Sequence, residues 1–385
     1  MYLLKLLVKN AFRHRLRTLL TIVGITIAIL AFGLLRTVVS AWYAGVEASS
    51  ASRLVTRNAI SLIFSLPISY REKLIRMPGV RQVTYANWFG GVYVTEKNFF
   101  PNFAIEPKSY LELYPEFVLD PAEKEAFLHD RKGAVAGRKL AQRFGWKVGD
   151  SIPLRGTIFP GSWQFVLRGI YKGVDKSTDE NQFFFQWEYL NESMLKTAPH
   201  RANMVGIYLL GLTNPNLAAE VSRNVDATFK NSLAETLSET EKAFQLSFIA
   251  MTEAIVIAIQ IVSFVVIVII LAVVANTMAM TARERIGEYA VYKTLGFSWW
   301  HIAGMIFGES FFITFTGCAL GMALTFPVAK SFGEQLGNFF PVFQVARETL
   351  YLDIAAALVI GLIAGIFPTW RAVTIRIADG LRRIG

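Results

Sequence analysis

Four stretches of this 385-residue chain stay apolar for as long as a bilayer crossing requires. Leu19–Leu35 carries no charge and is followed by Arg36, and Ala254–Ala282 is uncharged between Glu253 and Arg283. Ile302–Ala329 is interrupted only by Glu309, and Ile354–Trp370 lies between Asp353 and Arg371. About 20 largely apolar residues carry a helix across a hydrocarbon core of ~30 Å. Each stretch therefore predicts a membrane span, at 18–43, 251–282, 301–329 and 354–370. The second is longer than a bilayer needs and should tilt or project beyond it.

Between the first and second spans, residues 44–250 lose this pattern and read as an α+β domain. Ser69–Arg76 predicts a short helix closed by Met77-Pro78-Gly79, and Val83–Thr95 is β-rich with a bend at Gly90-Gly91. Ala134–Phe144 predicts a helix ending at Gly145. Gln164–Tyr171 and Met204–Leu210 have strand composition, and Leu217–Phe229 is an amphipathic helix after Asn214-Pro215. The polar stretch 232–248 runs into the second span without Gly or Pro, so one helix is expected from about 233 to 280, part stalk and part span. Two aromatic-rich segments, Phe99–Phe117 and Phe183–Tyr189, fit no pattern.

Charge orients these pieces. Lys5, Lys9, Arg13, Arg15 and Arg17 precede the first span, Arg283, Arg285 and Lys293 follow the second, and Arg371, Arg376, Arg382 and Arg383 follow the fourth. The 330–353 loop holds only Lys330 and Arg347 against Glu334, Glu348 and Asp353. Basic residues stay on the cytoplasmic side, so both termini and the 283–300 loop are expected inside, and 44–250 and 330–353 outside. Residues 1–17 read as an amphipathic basic helix or as a plain topogenic flank, and the two are compatible. The composition agrees: 53% of residues are hydrophobic and 18% charged, against about a quarter charged in soluble domains. Most of the net charge of +10 lies beside the spans, which argues against nucleic acid as a partner.

Catalytic chemistry is not evident. Gly156 and Gly161 have the outer spacing of a phosphate loop, but Ser162 stands where a lysine must reach the phosphates, so the segment reads as a turn. His14, His129, His200 and His301 are scattered, and Cys318 is a lone thiol inside the third span, so neither a metal site nor a disulfide is expected. Three polar features stand out instead. Glu309 is a costly intramembrane carboxylate, read either as an interhelical contact or as a hydrated interfacial group. Asn276 is expected to donate a hydrogen bond to another helix. On a helix spanning 283–297, Arg285, Glu288 and Tyr292 share one face, Lys293 follows, and Gly296 supplies the stop. That segment is either a docking helix for a cytoplasmic partner or a solvated connector.

The segment Arg283-Glu284-Arg285 through Glu288 to Lys293, Leu295 and Gly296 resembles the cytoplasmic loop of the MacB/FtsX-like ABC permeases. Tyr289 and Ala290 stand where that family has Ile and Gly. Asn10–Arg13 with Leu16–Thr21 and Gly24-Ile25 is similar to its N-terminus, and Pro368–Ala372 with Ala378–Arg382 to its C-terminal segment. Val135–Ala141, Gly145–Asp150 and Phe165–Ile170 resemble its core-domain signature. The resemblance implies a four-span α-helical membrane protein of the bacterial inner membrane. The chain would be a permease subunit without catalytic or cofactor residues of its own, and a cytoplasmic ABC ATPase dimer would bind the ATP and Mg. It implies a second permease copy or a related permease as partner, with a periplasmic adaptor as an option, and a role in export or lipid/lipoprotein extraction. Arg285, Glu288, Tyr292, Lys293 and Gly296 would then be ATPase-docking residues, and Pro368 and Arg371 would mark the cytoplasmic end of span four. The alternatives are a regulatory scaffold that passes ATPase state to an outer enzyme, as in the cell-division branch, and a membrane-anchored sensor.

Overall fold

The computed structural model describes residues 12–175, 178–250, 252–336 and 343–374. Most of the basic N-terminal segment, the middle of the 330–353 loop and the tail beyond Thr374 lie outside them. The chain divides into two compact units: residues 1–41, 252–335 and 343–385 form one, and 42–251 with 336–342 the other.

The first unit is a helical bundle. Its helices are α1 (Arg15–Ala48), which continues into the second unit, and then, beyond the inserted domain, α9 (Glu253–Glu284), α10 (Ile286–Thr294), α11 (Trp299–Leu336) and α12 (Arg347–Thr374). Four stretches, of 30, 32, 35 and 28 residues, are long and apolar enough to cross a membrane. At 1.5 Å per residue, even the shortest is about 42 Å, longer than the ~30 Å core. Their shared interior is aliphatic: Ile22, Ile25 and Ile29 of α1 meet Ile270, Val274 and Met278 of α9, Ile306 and Ile313 of α11, and Ile360 and Ala364 of α12. Close approach of α11 to α1 depends on Gly317 and Gly321. A Cβ on either would come within 2.7–2.8 Å of the Cβ of Ile25 or Ile29. Gly317→Leu is therefore expected to force the two helices apart and cost roughly 1–3 kcal/mol, read as a lower melting temperature in detergent.

The second unit is the inserted domain, a mixed sheet with helices on both faces. After α1 come β1 (Arg53–Asn58), β2 (Leu66–Pro67), α2 (Tyr70–Ile75), β3 (Val80–Trp88), β4 (Gly91–Val92) and β5 (Asn102–Ile105). Then follow α3 (Pro107–Leu113), β6 (Phe117–Val118), α4 (Pro121–His129), β7 (Gly133–Gly137), α5 (Arg138–Phe144), β8 (Ser151–Gly156) and β9 (Gly161–Gly173). The last elements are β10 (Phe183–Gln186), α6 (Trp187–Thr197), β11 (Met204–Val205), β12 (Ile207–Leu212), α7 (Ala218–Thr228), β13 (Thr236–Thr240) and α8 (Glu241–Ala250). The main sheet runs β13-β1-β12-β3-β5-β10-β7-β9-β8-β4, with β6 paired to β9.

The unassigned aromatic segments make the centre of this sheet. Phe183, Phe184 and Phe185 of β10 are all fully buried. Alternation along the strand sends Phe183 and Phe185 into one core, with Phe89, Phe100 and Phe165, and Phe184 into the other, with Tyr110, Tyr114 and Tyr171. Phe165 and Phe185 approach to 4.5 Å between ring centroids, and Tyr110 and Phe184 to 5.3 Å. Each such pair adds about 0.5–1.5 kcal/mol beyond area burial.

Two sequence expectations are corrected. Ala134–Phe144 is not one helix: residues 133–137 form β7 between β9 and β10, and the helix starts at Arg138. The small residues Ala134, Val135 and Ala136 are buried on both faces of a central strand, a pattern that short apolar runs share with helices. The continuous stalk helix is also absent. Residues 236–240 pair with β1 as β13, α8 begins only at Glu241, and the next helix starts at Glu253. Alternation explains the strand: Thr236 and Ser238 point inward, and the Ser238 and Thr56 hydroxyls share a 2.8 Å hydrogen bond.

Candidate functional site

The basic end of the bundle holds a network of ion pairs around the short helix α10. Arg285 is the single residue between α9 and α10 and sits outside helical geometry, at φ −100° and ψ 10°. That turn directs its side chain inward, where it is 4% exposed. Nη1 donates to Glu309 Oε2 of α11 at 3.0 Å, Nε donates to Glu288 Oε2 of α10 at 3.2 Å, and the guanidinium lies over the Tyr289 ring. Glu309, also 4% exposed, thus meets a charge from outside its own helix. Glu288 accepts a second bond from Arg13, ahead of α1. Just before Arg285, Glu284 takes both ends of the Arg17 guanidinium, at 2.7 and 2.8 Å, and lies 3.4 Å from His14 Nε2. Lys293 donates to the Val373 carbonyl near the end of α12 at 2.6 Å. The beginning of α1 and the ends of α9 and α12 are therefore tied, with α11, to one nine-residue helix.

Electrostatics hold Arg285 and Glu288 charged. Burial pulls the Arg285 pKa down, but Tyr289, Glu309 and Glu288 outweigh it and leave it above the ordinary arginine value. Burial alone would raise Glu288, yet hydrogen bonds from Arg13 and Arg285 bring it below the usual carboxylate range. Burial pushes the Tyr289 phenol up to about 12, and burial lowers Lys293. Because the folded pKa of Glu288 is depressed, its stabilisation is complete above its unfolded value of about 4.3 and is lost as pH falls through the folded value. Thermal stability is therefore expected to hold from pH 8 to 5 and to drop only in more acid buffer, and Glu288→Gln should flatten that drop.

The structure redistributes the residues expected to share a docking face. Arg285 is turned into the bundle, and Glu288 is committed to Arg13 and Arg285. Tyr292 is half-buried with its ring 5.7 Å from that of Phe297, and Lys293 is half-buried. Gly296 ends the helix at φ +87°, where Phe297 N–H reaches back to the Tyr292 carbonyl at 3.0 Å. Outward-facing positions are instead apolar: Val291, Leu295 at 69% exposure, Phe297, Trp299 and Trp300 at 68%. A face assigned from charge missed them, although Leu295, Phe297, Trp299 and Trp300 form a visible apolar run past the helix end. The Asn276 side chain has no hydrogen-bond partner among the described residues of this chain. It lies exposed on α9 because Val274 and Met278, one turn apart, take the inward phase. Pro368 is buried within α12, and Arg371 is exposed with its guanidinium 5.1 Å from the Phe367 ring.

These four long apolar helices, the inserted α+β domain and the Arg-Glu-Arg loop have counterparts in known families. The model of the MacB-like periplasmic core domain matches residues 18–228, and that of the FtsX-like permease C-terminal region matches 260–377. The chain belongs to the FtsX/MacB-type ABC transporter permeases. The permease is similar to an uncharacterized ABC transporter permease of Methanocaldococcus jannaschii, at 24% identity over 385 aligned residues that cover 94% of this chain and 92% of that protein. An uncharacterized ABC transporter permease protein of Mycobacterium tuberculosis is 22% identical over 267 residues, 68% of this chain and 30% of its own length. Among solved structures, the extracellular domain of the noncanonic ABC-type transporter YknZ from Gram-positive bacteria aligns with 49% of this chain at 11% identity and a TM-score of 0.35. A domain of a putative permease protein from Porphyromonas gingivalis aligns with 50% at 14% identity and a TM-score of 0.34. The permease is thus a membrane protein. Its homologues are permease components, consistent with a subunit that performs no catalysis of its own.

Proposed function

We propose that this permease couples ATP hydrolysis in a separate cytoplasmic ATPase dimer to movement of its inserted domain, driving export or extraction of a lipid or lipoprotein. The observation that carries the reading is the ion-paired attachment of α10. One short helix, with the Arg285 turn before it, is tied to the segment ahead of α1, to α11 and to α12 and follows directly on α9, while its outward face and the residues after it present Val291, Leu295, Phe297, Trp299 and Trp300. Such a helix is exposed where a partner can push and fixed where the push must be delivered. Both termini and α10 lie on the cytoplasmic side in this reading, the domain lies outside, and two permeases form the working unit. ATP and Mg belong to the partner.

Motion reaches the inserted domain by two routes along the chain. Helix α1 runs unbroken from Arg15 to Ala48, and α9 leads back to α8 and β13. No continuous rod is required.

The test is binding and hydrolysis with purified components. The permease alone should hydrolyse no ATP, and a co-expressed ABC ATPase should co-purify with it. Burying a leucine contributes about 1.5–3 kcal/mol, so Leu295→Asp should weaken ATPase binding at least tenfold. Leu195→Asp, at an exposed position of the inserted domain, should leave it unchanged. Equal affinities for the two variants would remove α10 as the docking element.

A further inference from the structure

The other end of the bundle contains a buried carboxyl group without a hydrogen-bond donor among the described residues. Asp353 of α12 is 0% exposed, and neither carboxylate oxygen has a hydrogen-bond donor among the described residues. Its surroundings are small or weakly polar. A Cβ built on Gly33 of α1 would lie 3.5 Å from Asp353 Oδ2 and 3.2 Å from Thr325 of α11. The Thr325 and Thr37 hydroxyls donate to carbonyls of their own helices, Gly321 and Gly33, and Cys318 Sγ reaches the Asp353 backbone carbonyl and the Met322 sulfur. An unpaired buried carboxylate is among the costlier arrangements a protein keeps.

A second orphan sits close by. Arg36 Nε is buried and has no acceptor among the described residues. Arg36 stands three positions after Gly33 on α1, hence on the same face and about 4.5 Å further along. Asp353 Oδ2 abuts Gly33, so Asp353 and Arg36 are offset by about one helical turn. A one-turn shift of one packed helix past another is ~5.4 Å, a step found in conformational switches.

We propose that Arg36 and Asp353 form a latent ion pair, open in this conformation and closed in another state of the transport cycle through a slide of α1 against α12. The unpaired carboxylate raises the energy of the open state, and pairing lowers that of the closed state. The two together bias an equilibrium that ATP binding would drive. Among the described residues, α11 contributes Thr325 and Cys318 to the junction.

The inference deepens the coupling reading and rests on it for one of its two tests. In the purified permease alone, Asp353→Asn should raise the melting temperature by a few degrees, because a buried carboxyl group without a donor is removed, while Arg36→Gln should leave it unchanged. In the complex with its ATPase, Arg36→Gln and Asp353→Asn should each lower ATP turnover at least threefold, Arg36→Lys should keep most of it, and the double variant should be no worse than the poorer single. A fall in melting temperature for Asp353→Asn would overturn the proposal, since the carboxylate would then be satisfied in the resting state. Additive losses in the double variant, or full turnover in the singles, would overturn it as well. If the wild-type complex shows no turnover, the coupling reading fails by itself, and the melting comparison decides the orphaned carboxylate.

Discussion

Replacing Glu241 with alanine is expected to destabilise the inserted domain by roughly 3–5 kcal/mol, the usual result of stranding a buried charge. Glu241 is the first residue of α8 and Arg53 the first of β1, so the pair stands where the chain leaves the domain and where it comes in. Arg53 Nε donates to Glu241 Oε2 at 2.7 Å, the Ser50 N–H donates to the same oxygen at 3.0 Å, and the Tyr114 hydroxyl donates to Oε1 at 3.0 Å. Arg53 also donates to Glu116 at 2.7 Å and lies over the Tyr114 ring at 4.2 Å. Burial pulls the Arg53 pKa down, yet Glu241, Tyr114 and Glu116 hold it above the ordinary value, and burial together with Glu241 keeps the Tyr114 phenol protonated well beyond its usual range. Alanine would leave Arg53, Tyr114 and Ser50 short of one acceptor group. At about 2–4 °C per kcal/mol for a domain of this size, the midpoint should fall by roughly 6–20 °C. Hydrogen exchange of the β1 and β13 amides in the full chain would localise the loss. Glu239→Ala is the control, since the Arg57–Glu239 pair at 3.2 Å is more exposed and should matter by under about 1 kcal/mol. If the two variants melt alike, the junction is not clamped by this network.

The spans were legible because the bilayer imposes a length and a composition that Leu19–Leu35 or Ala254–Ala282 meet without reference to any neighbour. The interior of the inserted domain was not legible in the same way. Phe183-Phe184-Phe185 is a continuous apolar run in which every residue is buried, so no alternation marks it as a strand; only pairing with β5 and β7 does. Thr236–Thr240 was hidden for the opposite reason, because its inward residues are hydroxyl-bearing and satisfied by Thr56 and Asp226. At the candidate site, the periodicity of 283–297 grouped Arg285, Glu288 and Tyr292 on one face and did not show that Arg285 turns inward, away from the other two. That was decided by Glu309, 24 residues downstream, whose carboxylate needs a cation. The side of Asn276 was likewise a question of phase: Val274 and Met278 show which side of α9 is packed within the chain, and that side is known only once α12 is in place.

The second large effect is expected at Glu309. Glu309→Leu removes one of two carboxylates around a guanidinium that is almost wholly buried and whose Nη2 already lacks an acceptor among the described residues. Because Glu288 remains at 3.2 Å, the cost should fall at the lower end of the roughly 3–5 kcal/mol range for broken buried pairs. The loss should appear as a lower melting temperature of the detergent-purified permease, and as weaker ATPase binding if α10 loosens. Physical chemistry makes a sharper demand on the double variant. A buried ion pair is often no better than a well-packed apolar pair of similar volume, whereas half a pair is far worse. Arg285→Met combined with Glu309→Leu should therefore recover most of the stability lost in Glu309→Leu, to within about 1 kcal/mol, although Glu288 then keeps Arg13 alone. Recovery of stability without recovery of ATPase-stimulated turnover would locate the role of the pair in transmission. A double variant that melts as low as the single one would show that the loss comes from packing around residue 309, and the ion-paired attachment of α10 to α11 would lose its energetic basis.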